Sequence, residues 1–137
     1  MSCLVIELRA ADVLLVHGAP IRFRNKARIE LTTRVRFLFG KQVMPPAEAN
    51  TPSRRPYFAL QSAYIGEPEE RAPALARARD LAQDFADHTT SGLARHLCAA
   101  AIGAAEHDDG YRALKYARRL VQHEAAVLAP PRQETQP

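Results

Sequence analysis

The sequence predicts an α+β fold, a small N-terminal antiparallel β-sheet or barrel of about four or five strands followed by a bundle of about four helices. Three observations predict it. Up to Gly40, apolar and polar residues alternate with the two-residue period of a strand. Beyond Pro45-Pro46, apolar residues recur at the three-to-four-residue spacing of a helix. Between the two regimes stand a glycine and a pair of prolines, which interrupt regular structure. The expected organisation is a basic β subdomain over residues 1–44, a helical subdomain over 45–128 and a disordered tail over 129–137, forming one compact unit.

The first strand is expected around Leu4, Ile6 and Leu8, which share one parity. A second covers residues 13–17 and stops at the turn signal Gly18-Ala19-Pro20. From Ile21 the alternation sharpens. Ile21, Phe23, Ala27, Ile29, Leu31, Val35, Phe37 and Phe39 take the odd positions, and Arg22, Arg24, Lys26, Arg28, Arg34 and Arg36 the even ones. Successive side chains on a strand point to opposite faces, so the pattern describes a half-buried sheet with a cationic outer side. Chain reversals are expected at Asn25-Lys26 and Thr32-Thr33.

Thr51-Pro52 reads as an N-cap followed by proline at the first helical position. A helix over residues 53–65 would carry Tyr57, Leu60, Gln61 and Tyr64 on one face, with Pro56 as a defect in its first turns. Pro73 should start the second helix afresh, giving residues 74–86 with Leu75, Ala78, Leu81, Ala82 and Phe85 inward. Thr90 or Ser91 caps a third with Leu93, Leu97, Ala101 and Ala104 inward. Asp108 or Asp109 caps a fourth with Leu114, Ala117, Leu120, Val121 and Leu128 inward.

A chain of 137 residues with 47% hydrophobic content can bury its own core, so neither a metal nor a disulfide is needed to hold it. Cys3 and Cys98 form no framework, and His17, His88, His96, His107 and His123 lack the spacing of a metal site. No cofactor is expected. No Gly-rich phosphate loop or nucleophile elbow is present, so an enzyme is not expected either. The N-terminus lacks the basic start and apolar run of a secretory signal, and no stretch has the roughly 18 apolar residues of a membrane span. A cytoplasmic location without membrane contact is the expectation.

Charge is unevenly placed. Residues 1–66 hold ten basic and four acidic residues, whereas the remainder holds nine basic and eleven acidic. A basic half beside a mildly acidic one suggests a polyanion-facing module on a scaffold. If two adjacent strands displayed them, Arg22, Arg24, Lys26, Arg28, Arg34 and Arg36 would form a cationic grid suited to RNA phosphates. A solvated strand face that discourages edge pairing would look the same. Phe23, Phe37 and Phe39 fall on the apolar parity, which speaks against the stacking sheet of an RNA-recognition motif.

Two stretches carry a family resemblance. The first holds Asn25-Lys26-Ala27-Arg28, Thr51-Pro52-Ser53-Arg54-Arg55 and Tyr57-Phe58-Ala59-Leu60-Gln61; the second holds Gly110-Tyr111, Ala113-Leu114-Lys115, Ala117-Arg118 and Leu120. In this order and at this length the chain resembles the FlbT family of flagellar regulators. Pro56 departs from the aliphatic residue expected there. The resemblance implies a post-transcriptional regulator that associates with the 5′ untranslated region of flagellin mRNA, repressing translation or promoting mRNA degradation, alongside a small partner protein, FlaF. Some relatives activate instead, so the sign of regulation stays open, as does a homo-oligomeric state. The RNA-binding candidates are Arg22, Arg24, Lys26, Arg28, Arg34 and Arg36, joined by Arg54 and Arg55 at the helix start. The alternative is a protein-interaction adaptor or chaperone-like module of flagellar assembly, using the alanine-rich residues 97–105 as a close-packing surface.

Overall fold

The computed structural model describes residues 4–16, 19–32 and 36–129. Five antiparallel strands precede four helices, the α+β order expected. The strands are β1 (Leu4–Leu8), β2 (Val13–Val16), β3 (Ala19–Arg22), β4 (Ala27–Leu31) and β5 (Phe37–Phe39). β1 pairs with β4 in one small sheet, while β3, β2 and β5 lie in that order in the other. Both ladders of the first four strands keep a single register. Leu8 faces Ala27, Val13 faces Arg22, and four residues are passed on each side between those pairs. The two ladders are therefore the halves of one bent hairpin, and β5 adds an edge to its far half.

That continuity corrects three expectations. At Asn25-Lys26 the chain bends rather than reverses, since β3 and β4 run on along the same partner arm. Ala19 and Pro20, read as turn residues, open β3; Pro20 is tolerated because β3 is an exposed edge strand. The odd-inward parity also fails at β3, where Ile21 is 46% exposed with the rest of the strand, and at β5. Leu38 is fully buried while Phe37 and Phe39 are half-buried, because β5 takes its register from Leu15 of β2, not from β4. The reversal expected at Thr32-Thr33 and the tail over 130–137 lie outside the described residues.

The helices are α1 (Arg54–Ile65), α2 (Pro68–His88), α3 (Gly92–Glu106) and α4 (Gly110–Leu128). α1 packs on α2 and α4, and α3 packs on the same two, which closes a four-helix arrangement. α2 starts at Pro68, six residues earlier than expected. Pro68 occupies the first helical position, where its missing N–H is no loss, and Glu69 and Glu70 complement the positive end of the helix. Pro73 does not restart the helix: it and Glu69, whose carbonyl loses a donor, are exposed to water. Ser91 caps α3 by accepting from the Ala94 N–H at 3.1 Å, and Asp109 caps α4 by accepting from the Arg112 N–H at 3.2 Å.

Small residues set the helix spacing. Ala59, Ala74, Ala78, Ala82, Ala94, Ala101, Ala113 and Ala117 are all buried, so backbones approach closely over modest side-chain volume. The main core joins Leu15 and Leu38 of the sheet to Tyr57, Leu60, Ile65 and Leu114; a second cluster gathers Ala82, Ala94, Leu97, Cys98 and Leu120. Two helix residues expected inward face water. Leu93 sits one position off the buried stripe Ala94, Leu97, Cys98 and Ala101, and Leu128 is the last residue of α4, 70% exposed. No helix among the described residues is long and apolar enough to cross a membrane.

Burial pushes the Cys98 thiol up from 9.0 to about 11. Its neutral form is favoured by folding, so its contribution is fully present below pH 9 and is lost as pH rises through about 11. Burial raises Tyr57 and Tyr64 in the same sense. The urea midpoint should thus fall through that alkaline window, less steeply in Cys98→Ala. Native Cys98 should also react with a thiol reagent far more slowly at pH 8 than unfolded chain does. A midpoint that rises with pH would contradict this account.

Candidate nucleic-acid interface

The hairpin bend is built by Asp12. Its carboxylate accepts from the Arg9 N–H at 2.8 Å and its own N–H donates to the Arg9 carbonyl at 3.1 Å, with Ala11 between them at φ 73°. Across the bend, Phe23 is tied on both sides. Ala11 donates to its carbonyl at 2.7 Å and its N–H donates to the Asp12 carbonyl at 3.0 Å. Residues 24 and 25 form a bend after this tie. Arg22, Arg24, Lys26 and Arg28 are all exposed along this outer arm, and none forms an ion pair among the described residues. They follow one arm as a row. The expected two-strand grid is absent because Arg22 and Arg28 belong to different ladders, and Arg28 faces Glu7 across β1.

Arg36 behaves differently. It was expected on the wet face but is held against the helical half. Its Nη2 donates to Asp108 Oδ1 at 2.9 Å, its Nη1 donates to the Tyr64 carbonyl at 3.2 Å, and the guanidinium lies 5.5 Å from the Tyr64 ring centroid. Gly110 makes room for this clasp. A Cβ there would stand 2.5 Å from Tyr64 Cδ1, so only glycine lets the ring lie over the start of α4. Arg36 thus fastens sheet to helices. Arg34 lies outside the described residues.

The string from Thr51 to Gln61 is a set of anchors. Thr51 Oγ1 accepts from the Arg54 N–H at 3.2 Å and its carbonyl accepts from the Arg55 N–H at 3.1 Å, as a cap would. However, α1 starts only at Arg54, so Pro52 stands in the turn before it and not at the first helical position. Ser53 is wholly buried, with its hydroxyl donating to Glu124 Oε1 at 2.6 Å and its N–H donating to Oε2 at 3.0 Å. Tyr57 donates to the Gln42 carbonyl at 2.6 Å. Gln61 is also buried; its Oε1 accepts from the Met44 N–H at 2.8 Å and its Nε2 donates to the Met44 carbonyl at 3.1 Å. These contacts dock residues 42–44 on α1 and the start of α1 on α4.

Arg54 and Arg55 project from that framework and make no ion pair among the described residues. Arg55 is exposed, whereas Arg54 is half-buried and lines a cavity of about 260 Å³ together with Lys41, Tyr57 and Arg118. Burial raises the Tyr57 hydroxyl's pKa, and the neighbouring Arg118 charge opposes that rise. Lys41, Lys115 and Arg118 were absent from the residues expected to bind. A signal for the last two was present, since Tyr111, Lys115, Arg118 and Gln122 follow a helical stripe on α4. The acidic loop Glu106-His107-Asp108-Asp109 is consumed by structure: Glu106 pairs with Arg79, Asp108 with Arg36, and Asp109 caps α4. Among the described residues no three His, Cys, Asp or Glu side chains gather as metal ligands would.

A family model described as flagellar protein FlbT matches residues 4–128, from the first strand to the end of α4. The chain belongs to the FlbT family. A probable flagellum biosynthesis repressor protein FlbT of Chelativorans sp. (strain BNC1) is 31% identical over 138 aligned positions, which is 96% of this chain and 90% of that relative. A second FlbT of Bradyrhizobium diazoefficiens, described in the same words, is 29% identical over 90% of both chains. The FlbT of Agrobacterium fabrum is 36% identical over 51% of this chain and 46% of its own. No solved structure matches. Of the residues that carried the resemblance, Thr51, Ser53, Tyr57 and Gln61 are anchors of the fold just described.

Proposed function

We propose that this chain regulates flagellum biosynthesis after transcription, by binding the 5′ untranslated region of flagellin mRNA and repressing its translation or promoting its degradation. Relatives spanning nearly the whole chain are named as probable flagellum biosynthesis repressors, which supports the repressing sign. The observation that carries RNA contact is the row of exposed cations Arg22, Arg24, Lys26 and Arg28 on the outer arm of the bent hairpin, with no ion pair among the described residues. Arginine's planar fork suits phosphate oxygens, and one continuous arm carries three such forks with a lysine among them. A small FlaF-like protein remains the proposed partner. The inward side of the alanine-rich helix is covered by α2 and α4, which leaves the adaptor reading the outer side around Ala99 and Gly103.

The test is binding to a flagellin 5′ leader against a scrambled RNA over a range of salt. Each phosphate contact contributes nearly one unit of the log–log salt slope. Arg24→Ala with Arg28→Ala should therefore shrink the slope by about one to two units. The melting temperature should barely move, since both residues are exposed. A wild-type protein that binds neither RNA would remove direct recognition from this reading.

A further inference from the structure

We propose a second RNA contact: the cleft between residues 41–44, the start of α1 and the outer face of α4 takes a single-stranded nucleotide, with Lys41, Arg54, Lys115 and Arg118 on its phosphates and Tyr111 beneath its base. This rests on the RNA-binding reading above and adds a location that reading does not require. Two adjoining cavities, about 260 and 120 Å³, share Tyr57 and Arg118 in their walls. The larger is lined by Lys41, Arg54 and Arg118, the smaller by Gln42, Tyr111 and Lys115. Together they reach the lower end of the roughly 300–1,000 Å³ typical of small-ligand sites.

Four cations drawn from distant parts of the chain meet here, and none of them forms an ion pair among the described residues. Glu48 is the single acid in the lining. Gathering like charges around half-buried walls opposes folding through mutual repulsion, and a bound polyanion would relieve it. Elsewhere in the same molecule the half-buried guanidinium of Arg36 is held by a carboxylate and that of Arg71 by the Gly66 carbonyl, whereas those of Arg54 and Arg118 have neither kind of partner among the described residues. The aromatic element is in place as well. Tyr111 is 41% exposed, its hydroxyl accepts from Gln42 Nε2 at 3.3 Å, and Lys115 Nζ stands 4.9 Å from its ring centroid. A partly exposed ring held by its hydroxyl can take an unstacked base on the face away from Lys115, and the ammonium over the other face can serve an adjoining phosphate.

The experiment compares three forms of the full chain on the flagellin leader RNA: wild type, Lys41→Ala with Arg118→Ala, and Arg24→Ala with Arg28→Ala. A second cleft variant, Tyr111→Ala, changes an exposed side chain and guards against misfolding of the first. Loss of one stacked base should weaken binding between about fivefold and about a hundredfold. The two-cation cleft variant should lower the salt slope by about one to two units. Ultraviolet crosslinking of wild type should place the nucleotide adduct on the peptide that carries Tyr111. If both cleft variants bind like wild type while the hairpin variant is weakened, the cleft is overturned and the RNA reading stands. If wild type binds no RNA, both fall.

Discussion

Replacing Glu124 with Ala should destabilise the chain by about 2–5 kcal/mol and lower its melting temperature by roughly 10 °C. Glu124 lies on α4, 71 residues from Ser53, yet its two oxygens take both polar groups of that buried serine. Removal of the carboxylate strands a hydroxyl and an N–H in a site closed to water. Each orphaned group costs about 1–3 kcal/mol. The carboxylate also sits against the positive end of α1, which adds a smaller favourable term. Ser53→Ala should do less harm, because Glu124 keeps the backbone N–H as a partner. The double variant should fall short of the summed losses, as expected for residues in one hydrogen-bonded unit. Thermal denaturation of the three proteins measures this directly. A Glu124→Ala protein as stable as wild type would show that the clasp carries no net stability.

Glu124 also illustrates what the sequence could not say. Nothing about one glutamate near the end of an amphipathic helix names a partner 71 residues away. Period and punctuation were legible because they are local. Alternation announced the strands, Thr51 and Ser91 announced their helix starts, and the four helices lie close to where apolar spacing put them. Pairing was not legible. The bend at 23–26 contains residues typical of a turn, and only the shared register of the two ladders reveals one continuous hairpin. Side-chain parity cannot tell which neighbouring strand sets the phase, so Phe37 and Phe39 were assigned to the buried side and Arg36 to the exposed row. The cations Arg22, Arg24, Lys26 and Arg28 were legible as one exposed parity, although β3 exposes its other parity too, Ile21 included. Lys41 and Arg118 become neighbours only through the docking of residues 42–44, a tertiary event with no local signature.

That docking makes Gln61→Leu the substitution with the widest expected effect. The change keeps nearly the same volume in a buried position and replaces the amide by methyl groups. Both Met44 main-chain groups then lose their partner, the N–H at 2.8 Å and the carbonyl at 3.1 Å. Counting one orphaned donor and one orphaned acceptor gives about 2–4 kcal/mol, unless residues 42–44 lift off α1 to reach water. The two responses are separable by experiment. If the segment stays docked, the urea midpoint falls by the full amount and amide exchange within the segment is unchanged. If it lifts, the loss is smaller, the Met44 amide exchanges rapidly, and Lys41 moves away from Arg54 and Arg118. Lifting is the expected response, because residues 45–48 beside the segment are already exposed and hold little against it. Tyr57→Phe provides the internal comparison: it keeps the ring in the core and removes only the bond to the Gln42 carbonyl at 2.6 Å. Its cost should be about 1–2 kcal/mol, with the segment still pinned by Gln61. Rapid exchange at Met44 in Gln61→Leu but not in Tyr57→Phe would place the hinge of this segment at the glutamine. Equal protection in both would place it elsewhere.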